Sequence, residues 1–302
     1  MNMKKVRKVL KHKAFVGNND EILREFKVGL QEYDDRGNLT KEVQYDNNGQ
    51  VDVANGYKYD DKNRLIEEIH YYEEEVGEMI SYQLDSEGRI VRSETRYADG
   101  SVSVKDYSRT ENMITIQAVD EDGDIESEDL LKLDEKGNIL EEVHLDEDHK
   151  VESKFINTYN QKDQLISRVE FGENDEFIRK VLIEYDDKGN AVAETHLNRK
   201  DEVMDHITFS FDDHGNRTEW QNSTYLHRTI FDEENRPVRE ERLNRRSSLV
   251  ENFTEYKYDE EGRIESEKTF SMGEEYELEP GAVTRTKSDF IIHRYSYEFF
   301  DA

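Results

Sequence analysis

The sequence predicts an all-β protein, built of tandem β-hairpin repeats that form one long, twisted and curled antiparallel meander sheet. Three observations point there. One short phrase keeps returning, as LDEKGNILEEVHLD at residues 133–146 and YDDKGNAVAETHLN at 185–198. Its copies stand at regular intervals. Between copies, apolar and polar residues alternate with a period of two.

The phrase is an aromatic residue or Leu, then Asp or Asn, two polar residues, usually Gly, then Asn or Arg, then an aliphatic residue. Clear copies are YDDRGNL (33–39), YDNNGQV (45–51), YDDKNRL (59–65), LDSEGRI (84–90), VDEDGDI (119–125), LDEKGNI (133–139), YDDKGNA (185–191), FDDHGNR (211–217), FDEENRP (231–237) and YDEEGRI (258–264). Weaker copies are LDEDHKV (145–151), YNQKDQL (159–165), FGENDEF (171–177), LNRKDEV (197–203) and LNRRSSL (243–249). The centre of each copy is turn chemistry: Asp and Asn bond to nearby backbone, and Gly accepts positive φ. From 133 to 211 the leading residues are separated by alternating steps of 12 and 14, so the full unit is 26 residues. A fixed period of this size is the signature of a repeat architecture.

The segments between turns are 139–145, 151–159, 165–171, 177–185, 191–197 and 203–211. They are too short for typical helices and rich in β-branched and aromatic residues, so each reads as a strand. Odd positions hold 20 apolar residues in 27, and even positions hold 7 in 21. Side chains alternate faces along a strand, and both steps are even. Odd-numbered residues, among them Phe155, Val169, Val181 and Ile207, are therefore expected to share one concave face of a partly open sheet. The rhythm breaks in three places. YYEEEVGEMISYQLD (71–85) shifts parity by one, which implies a longer loop or a bulge. Residues 97–118 read as irregular. A step of 20 separates Phe211 from Phe231, with Trp220 inside it.

The repeats bound the domain organisation: a basic N-terminal segment (1–20), a repeat domain (21–270) and an aromatic C-terminal capping segment (271–302). The chain has 302 residues and a net charge of −30. Lys4, Lys5, Arg7, Lys8, Lys11 and Lys13 are cationic, so the remainder carries −36. That surface repels nucleic-acid phosphates and favours a basic partner. There is no Cys, which excludes disulfides, thiolate metal sites and Cys nucleophiles. No apolar run approaches the ~20 residues needed to span a bilayer. The N-terminus lacks the apolar centre of a secretory signal, so a cytoplasmic location is expected, with the cell surface or signal-independent secretion as the alternative.

The phrases YDDRGNL, YDNNGQV, YDDKNRL, YDDKGNA and YDEEGRI resemble the YD repeat of the RHS/YD-repeat proteins, over roughly residues 30–270. The resemblance implies β-hairpins joined into a large curling sheet, in a family that is often bacterial, exported or surface-associated, and linked to toxin delivery or adhesion. In long members the sheet forms a hollow shell around a toxin domain. This chain is too short to enclose such a domain, and it lacks the Pro-rich segment that precedes the toxin there.

Catalytic and metal chemistry are not expected. Glu142 and His144 recur as Glu194 and His196, but four strand steps place the two His roughly 19 Å apart. They cannot share a metal whose ligand bonds are ~2 Å. DEDGDIESED (120–129) does not follow EF-hand spacing. Glu67 and Glu68, like Glu141 and Glu142, are sequence neighbours on a strand and point to opposite faces. No nucleophile elbow, P-loop or dinucleotide fingerprint occurs. Tyr33, Tyr45, Tyr59, Tyr185 and Tyr258 flank turns and are expected to pack on neighbouring strands. No catalytic, cofactor or metal site is therefore expected, nor is a nucleic-acid partner. The reading is a non-enzymatic repeat scaffold that binds another macromolecule, a protein, through an extended curved sheet. The alternatives are an acidic immunity or inhibitor protein that neutralises a basic toxin or nuclease, and an exported adhesin or toxin-shell fragment.

Overall fold

A computed structural model describes residues 5–17, 21–72, 75–272, 275–279, 282–285 and 289–301. Lys4, Pro280 and, within the predicted capping segment, residues 273–274, 280–281, 286–288 and 302 lie outside the described residues. Strands β1 (Val6–Val16), β2 (Ile22–Tyr33), β3 (Leu39–Tyr45), β4 (Val51–Tyr59), β5 (Leu65–Tyr72), β6 (Glu75–Leu84), β7 (Ile90–Tyr97) and β8 (Val102–Arg109) come first. They are followed by β9 (Met113–Val119), β10 (Ile125–Leu133), β11 (Ile139–Leu145), β12 (Val151–Tyr159), β13 (Leu165–Phe171), β14 (Phe177–Tyr185), β15 (Ala191–Leu197) and β16 (Val203–Phe211). The last are β17 (Arg217–Gln221), β18 (Tyr225–Phe231), β19 (Pro237–Asn244), β20 (Val250–Tyr258), β21 (Ile264–Ser271), β22 (Glu275–Glu279), β23 (Ala282–Arg285) and β24 (Asp289–Phe299). There is no α-helix among the described residues; a single 3₁₀ turn spans Glu173–Asp175. The fold is all-β and antiparallel, and the six segments read as strands between 139 and 211 coincide with β11 to β16. Residues 97–118, expected to be irregular, carry the regular strands β8 and most of β9. The 20-residue step before Phe231 holds the short hairpin β17–β18.

The turns show why the phrase is written as it is. In the copy at 134–138, Asp134 N–H donates to the Asn138 carbonyl at 2.9 Å, and Gly137 N–H donates to the Asp134 carbonyl at 3.1 Å. One Asp134 carboxylate oxygen accepts the Lys136 and Asn138 N–H groups, both at 2.9 Å, and the other accepts Asn138 Nδ2 at 2.9 Å. Gly137 has φ +89°, the left-handed conformation that glycine adopts without penalty. This is the three-residue hairpin loop, a type I turn closed by an αL residue. Where Arg replaces Asn, its Nε donates to the same Asp oxygen, as from Arg64 to Asp60 at 2.7 Å and from Arg263 to Asp259 at 2.6 Å. Asn63, His149 and Asn235 stand in for Gly at φ +62°, +58° and +67°.

One further feature repeats and overturns an expectation. The residue before each such turn pairs with the residue after it, and the register then slips by one. Leu133 pairs with Ile139, but Lys132 pairs with Glu141, leaving Leu140 extra. Among the described residues the same bulge follows the turn in thirteen strand pairs. A one-residue slip moves every later side chain to the other face. Phe155 is opposite Glu170, whereas Val169 is opposite Ile156. Val181 is opposite Arg168, and Ile207 is opposite Glu194. Phe155, Val181 and Ile207 therefore share a face and Val169 lies on the other, which corrects the single odd-numbered apolar face.

The chain divides into two compact units, Met1–Gly56 with Tyr72–Glu74 and Phe209–Ala302, and Tyr57–Tyr71 with Glu75–Thr208. In the first unit the strands pair in the order β4–β3–β2–β1–β24–β21–β20–β19–β18, with β17 beside β18. The N-terminal strand thus lies between β2 and the C-terminal strand. The partly open meander expected from the sequence is corrected here: neither β1 nor β24 is a free edge, because each satisfies the other's backbone groups. In the second unit, β6 to β16 pair in sequence order. β22 and β23 form a separate hairpin.

Burial is shallow. Among the described residues, the buried apolar ones are Ala14, Leu30, Val43, Ala54, Val104, Ala118, Ala193 and Leu197, and no large side chain is fully buried. Leu30, Val43 and Ala54 form one cross-strand row. Elsewhere some aromatic rings pack on one another, as Phe253 on Phe270 and Phe270 on Phe290, and many are also covered by long cationic side chains. Arg168 lies 4.0 Å from the Phe155 ring centroid, Arg239 4.0 Å from Phe253 and Lys27 3.8 Å from Tyr45. Such stacking shields apolar area with the stems of charged residues, which suits a chain that is 38% charged.

Candidate binding surfaces

The bulges decide what shares a face in the second unit. Nine-residue strands β12 and β14 put odd-numbered side chains on the face that holds Phe155. The seven-residue strands between them put even-numbered ones there. One cross-strand row reads Leu131, Glu142, Phe155, Glu170, Arg179, and the next reads Asn157, Arg168, Val181, His196, Asp205. Arg168 reaches Glu142 at 3.2 Å, and Arg179 Nε donates to Glu170 at 2.6 Å. His144 is hydrogen-bonded to Asp129 at 2.7 Å, stands 3.3 Å from Glu142 and meets the Phe155 ring edge-on. His196 stands 3.7 Å from Glu194. Each His thus has its own carboxylate, and β12, β13 and β14 separate the two pairs. No group of three or more His, Asp or Glu among the described residues could hold a metal ion.

The opposite face carries an apolar rim at one set of turns. Leu145 pairs with Val151, Phe171 with Phe177 and Leu197 with Val203, and the bulge residues Ile178 and Met204 are added beside them. Ile178, Val203 and Met204 are 47%, 63% and 65% exposed. Ile156, farther in on the same face, is also exposed.

In the second unit the turn-flanking Tyr159 and Tyr185 belong to the other rim. Tyr159, Tyr185, Tyr258 and Tyr297 each donate their hydroxyl to the carbonyl of the first residue after an earlier turn. The acceptors are Ile139 at 3.0 Å, Leu165 at 2.8 Å, Pro237 at 2.7 Å and Ile264 at 2.8 Å. The tyrosine stitches one hairpin to the next at the bulge, where ladder bonding is interrupted. Burial raises the Tyr185 and Tyr258 phenols above their ordinary range. Tyr33 instead donates to Gln31 at 3.0 Å, Tyr45 lies under Lys27, and Tyr59 ends β4. Of the carboxylates weighed from sequence, Glu67 pairs with Lys58 and Glu68 accepts the Tyr82 hydroxyl at 2.7 Å. In 120–129, Asp120 accepts the N–H groups of Asp122 and Asp124, as in any other turn here.

Two sites in the first unit had no signature in the sequence. On β17 and β18, Trp220 and His227 are cross-strand partners whose rings stack at 3.8 Å and 11°. Burial, then Arg242 and Arg217, hold His227 below its ordinary pKa. Beside the stack, Arg228 binds Glu219 at 2.9 Å and Glu241 at 3.3 Å. The second site is a recess of about 620 Å³ formed over β24, β1, β2, β3 and the start of β4. One wall holds Lys11, Lys13, His293 and Tyr295; the far side holds Glu42, Gln44 and Asp52. Glu267, just behind the first wall, accepts the Tyr295 hydroxyl at 2.8 Å and lies 3.5 Å from Lys11 and 3.7 Å from His293. Burial, then Lys11, hold His293 below its ordinary pKa. Gly29, paired with Lys11 and with Gln44, leaves the floor without a side chain. The arrangement is suited to binding; no nucleophile is paired with a base in it.

No family model matches the chain, and neither does any curated protein. Solved structures do align with it. The crystal structure of TcdB2-TccC3-Cdc42 matches at 12% identity and a TM-score of 0.43, over 82% of this chain and 15% of that one. The Tc holotoxin pore of Photorhabdus luminescens matches at 11% identity and a TM-score of 0.42, over 81% and 16%. This chain therefore spans about a sixth of the length of those chains. A porin-like protein from Bacteroides uniformis matches at 11% identity and a TM-score of 0.34, over 97% and 96%.

Proposed function

We propose that the chain is a non-enzymatic scaffold of the YD-repeat type that binds another protein through an extended sheet face, in a bacterial toxin-related setting. The observation that carries this reading is the apolar rim of the second unit. Ile178, Val203 and Met204 lie along this rim on one face, about half exposed or more, with Ile156 exposed on the same face. Exposed contiguous apolar surface of this kind marks interaction sites. The turn-derived repeat supplies it in register, since the β13–β14 and β15–β16 hairpins add the bulge residues Ile178 and Met204 to the row, where the β11–β12 hairpin adds Glu152. Affinity capture from the native host, with the wild type and an I178S/V203S/M204S variant side by side, tests the reading. A partner retained by the first and lost from the second is the expected result. Identical captures by both would refute it.

The net charge of −30 supports a second reading, an acidic inhibitor of a basic toxin or nuclease. The two separate on salt. Contact through the apolar rim persists as salt rises, whereas binding driven by charge weakens steeply above ~0.15 M, where the Debye length is about 8 Å.

A further inference from the structure

Resting on the reading of the apolar rim as an interaction surface, we infer that its occupant is an extended basic segment of another protein. That segment carries two aliphatic side chains four residues apart and a cation four residues beyond them. Three observations converge on it. The first is where the exposed apolar groups lie. In the second unit, Val76, Tyr97, Ile178, Val203 and Met204 are exposed and flank the turns of this rim. At the rim of Tyr159 and Tyr185, Val91 is the one exposed large apolar residue among the described residues of that unit. The second is where the acid lies. The turns 98–101, 120–124, 146–150, 172–176 and 198–202 of the apolar rim carry a net charge of −10, whereas the turns 85–89, 110–112, 134–138, 160–164 and 186–190 of the opposite rim carry −4. Two lysines on the face of Ile178, Lys154 and Lys180, are paired with Asp175 and Asp201. Glu152, the bulge residue before Ile178 in the row, is exposed and has no cationic partner among the described residues. A second copy of this chain would set acid against acid there, and so would an anionic bilayer; a basic segment is the complement.

The third observation is spacing. Glu152, Ile178 and Met204 are the outward residues of successive bulges, each two strands from the next. The register also staggers them along the strands. Phe177 is level with Phe171, whereas Val203, through Leu197 and Lys180, is level with Val169. Phe177 in turn, through Phe171 and Lys154, is level with Val143, two residues short of Leu145 beside Val151. Two strands at ~4.8 Å and two residue levels at ~3.3 Å place neighbouring bulge residues about 12 Å apart. Four residues of extended chain span ~13 Å and return the side chain to the same face. A helix covers about 12 Å in eight residues, which turn the side chain roughly 80° away. An extended segment therefore meets Met204, Ile178 and Glu152 in succession with aliphatic, aliphatic and cation, and a helix does not.

The test is titration of the full chain with end-capped, dye-labelled peptides of about eleven residues, read by methyl NMR at Ile178 and Met204 and by fluorescence anisotropy. The probe is a Ser/Thr peptide carrying Lys, Val and Val four residues apart. In one control a Val is moved by one residue, onto the other face of the extended chain; in the other, Glu replaces Lys. The probe is expected to move both methyl signals, and each control to bind roughly fivefold to tenfold more weakly. I178S/M204S should weaken the probe on the order of tenfold or more, and Glu152→Lys roughly fivefold. Val91→Ser, on the opposite rim, should leave it unchanged. The inference fails if neither methyl responds at millimolar probe, if either control binds as tightly as the probe, or if Val91→Ser and I178S/M204S behave alike. A dimer of this chain that I178S/M204S dissociates would also overturn it, by seating a second copy on the rim. A host partner captured through Ile178, Val203 and Met204, together with methyls silent to the probe, would leave the rim as an interaction surface and remove the extended basic segment alone.

Discussion

Replacing Tyr258 by Phe removes one hydroxyl and nothing else. That hydroxyl donates to the Pro237 carbonyl at 2.7 Å, and the ring is half-buried under Arg236, whose guanidinium lies 4.6 Å from its centroid. The exchange costs a net hydrogen bond, about 0.5–1.5 kcal/mol, and toward 1–3 kcal/mol if no water reaches the orphaned carbonyl. Each compact unit has about 150 residues. At that size ~1 kcal/mol lowers the midpoint of thermal unfolding by about 2–4 °C. The control is Tyr45→Phe in the same unit. Its hydroxyl has no hydrogen-bond partner among the described residues and its ring lies under Lys27, so its loss should stay within about 0.5 kcal/mol. Urea and thermal melts by circular dichroism measure both. Equal effects from the two variants, or none from Tyr258→Phe, would refute the claim that the phrase begins with Tyr in order to stitch neighbouring hairpins.

Three further outcomes are expected. The turn carboxylates of Asp60, Asp134, Asp186 and Asp232 sit below their ordinary range; Asp60 is held at about 2, first by the Arg64 side chain and then by its backbone N–H. Their contribution is complete above the ordinary value of 3.8 and is lost as pH falls through the lowered one, so acid unfolding should fall between about pH 4 and 2, and Arg64→Gln should raise the Asp60 midpoint seen by NMR. Trp220 is the single Trp and stacks on His227; its fluorescence should titrate with a midpoint below 6.5, stability should fall as pH drops through that midpoint, and His227→Gln should flatten both curves. Deleting the bulge residue Ile166 should disrupt the β12–β13 hairpin far more than Ile166→Ala does, because deletion inverts the remaining strand; equal hydrogen-exchange protection in the two variants would contradict this.

The hairpins were legible because their signals are local. An Asp that caps its own turn, a Gly or Asn at positive φ and a β-branched strand all lie within one phrase, and β11 to β16 begin and end where the phrase says. The bulges were not legible. Their extra residues share no residue type, being aliphatic at Leu140, Ile166 and Val192 and acidic at Glu126 and Glu152, and the even steps of 12 and 14 conceal an odd slip. Alternation within a strand was read correctly, but the face it assigns reverses at each turn, which is why Val169 parted from Phe155. The Trp220–His227 stack and the Gly29 recess depend on pairings between strands that no repeat announces. The recess draws on both ends of the chain, Lys13 and His293, which only the pairing of β1 with β24 brings together.

The bulge that follows each turn also sets the grammar by which such a protein can grow. One slip turns the downstream surface inside out and a second turns it back. A block of 26 residues can therefore be copied or excised with inner and outer identities preserved, while a lone strand and its loop cannot. Gene duplication in this architecture is restricted to pairs.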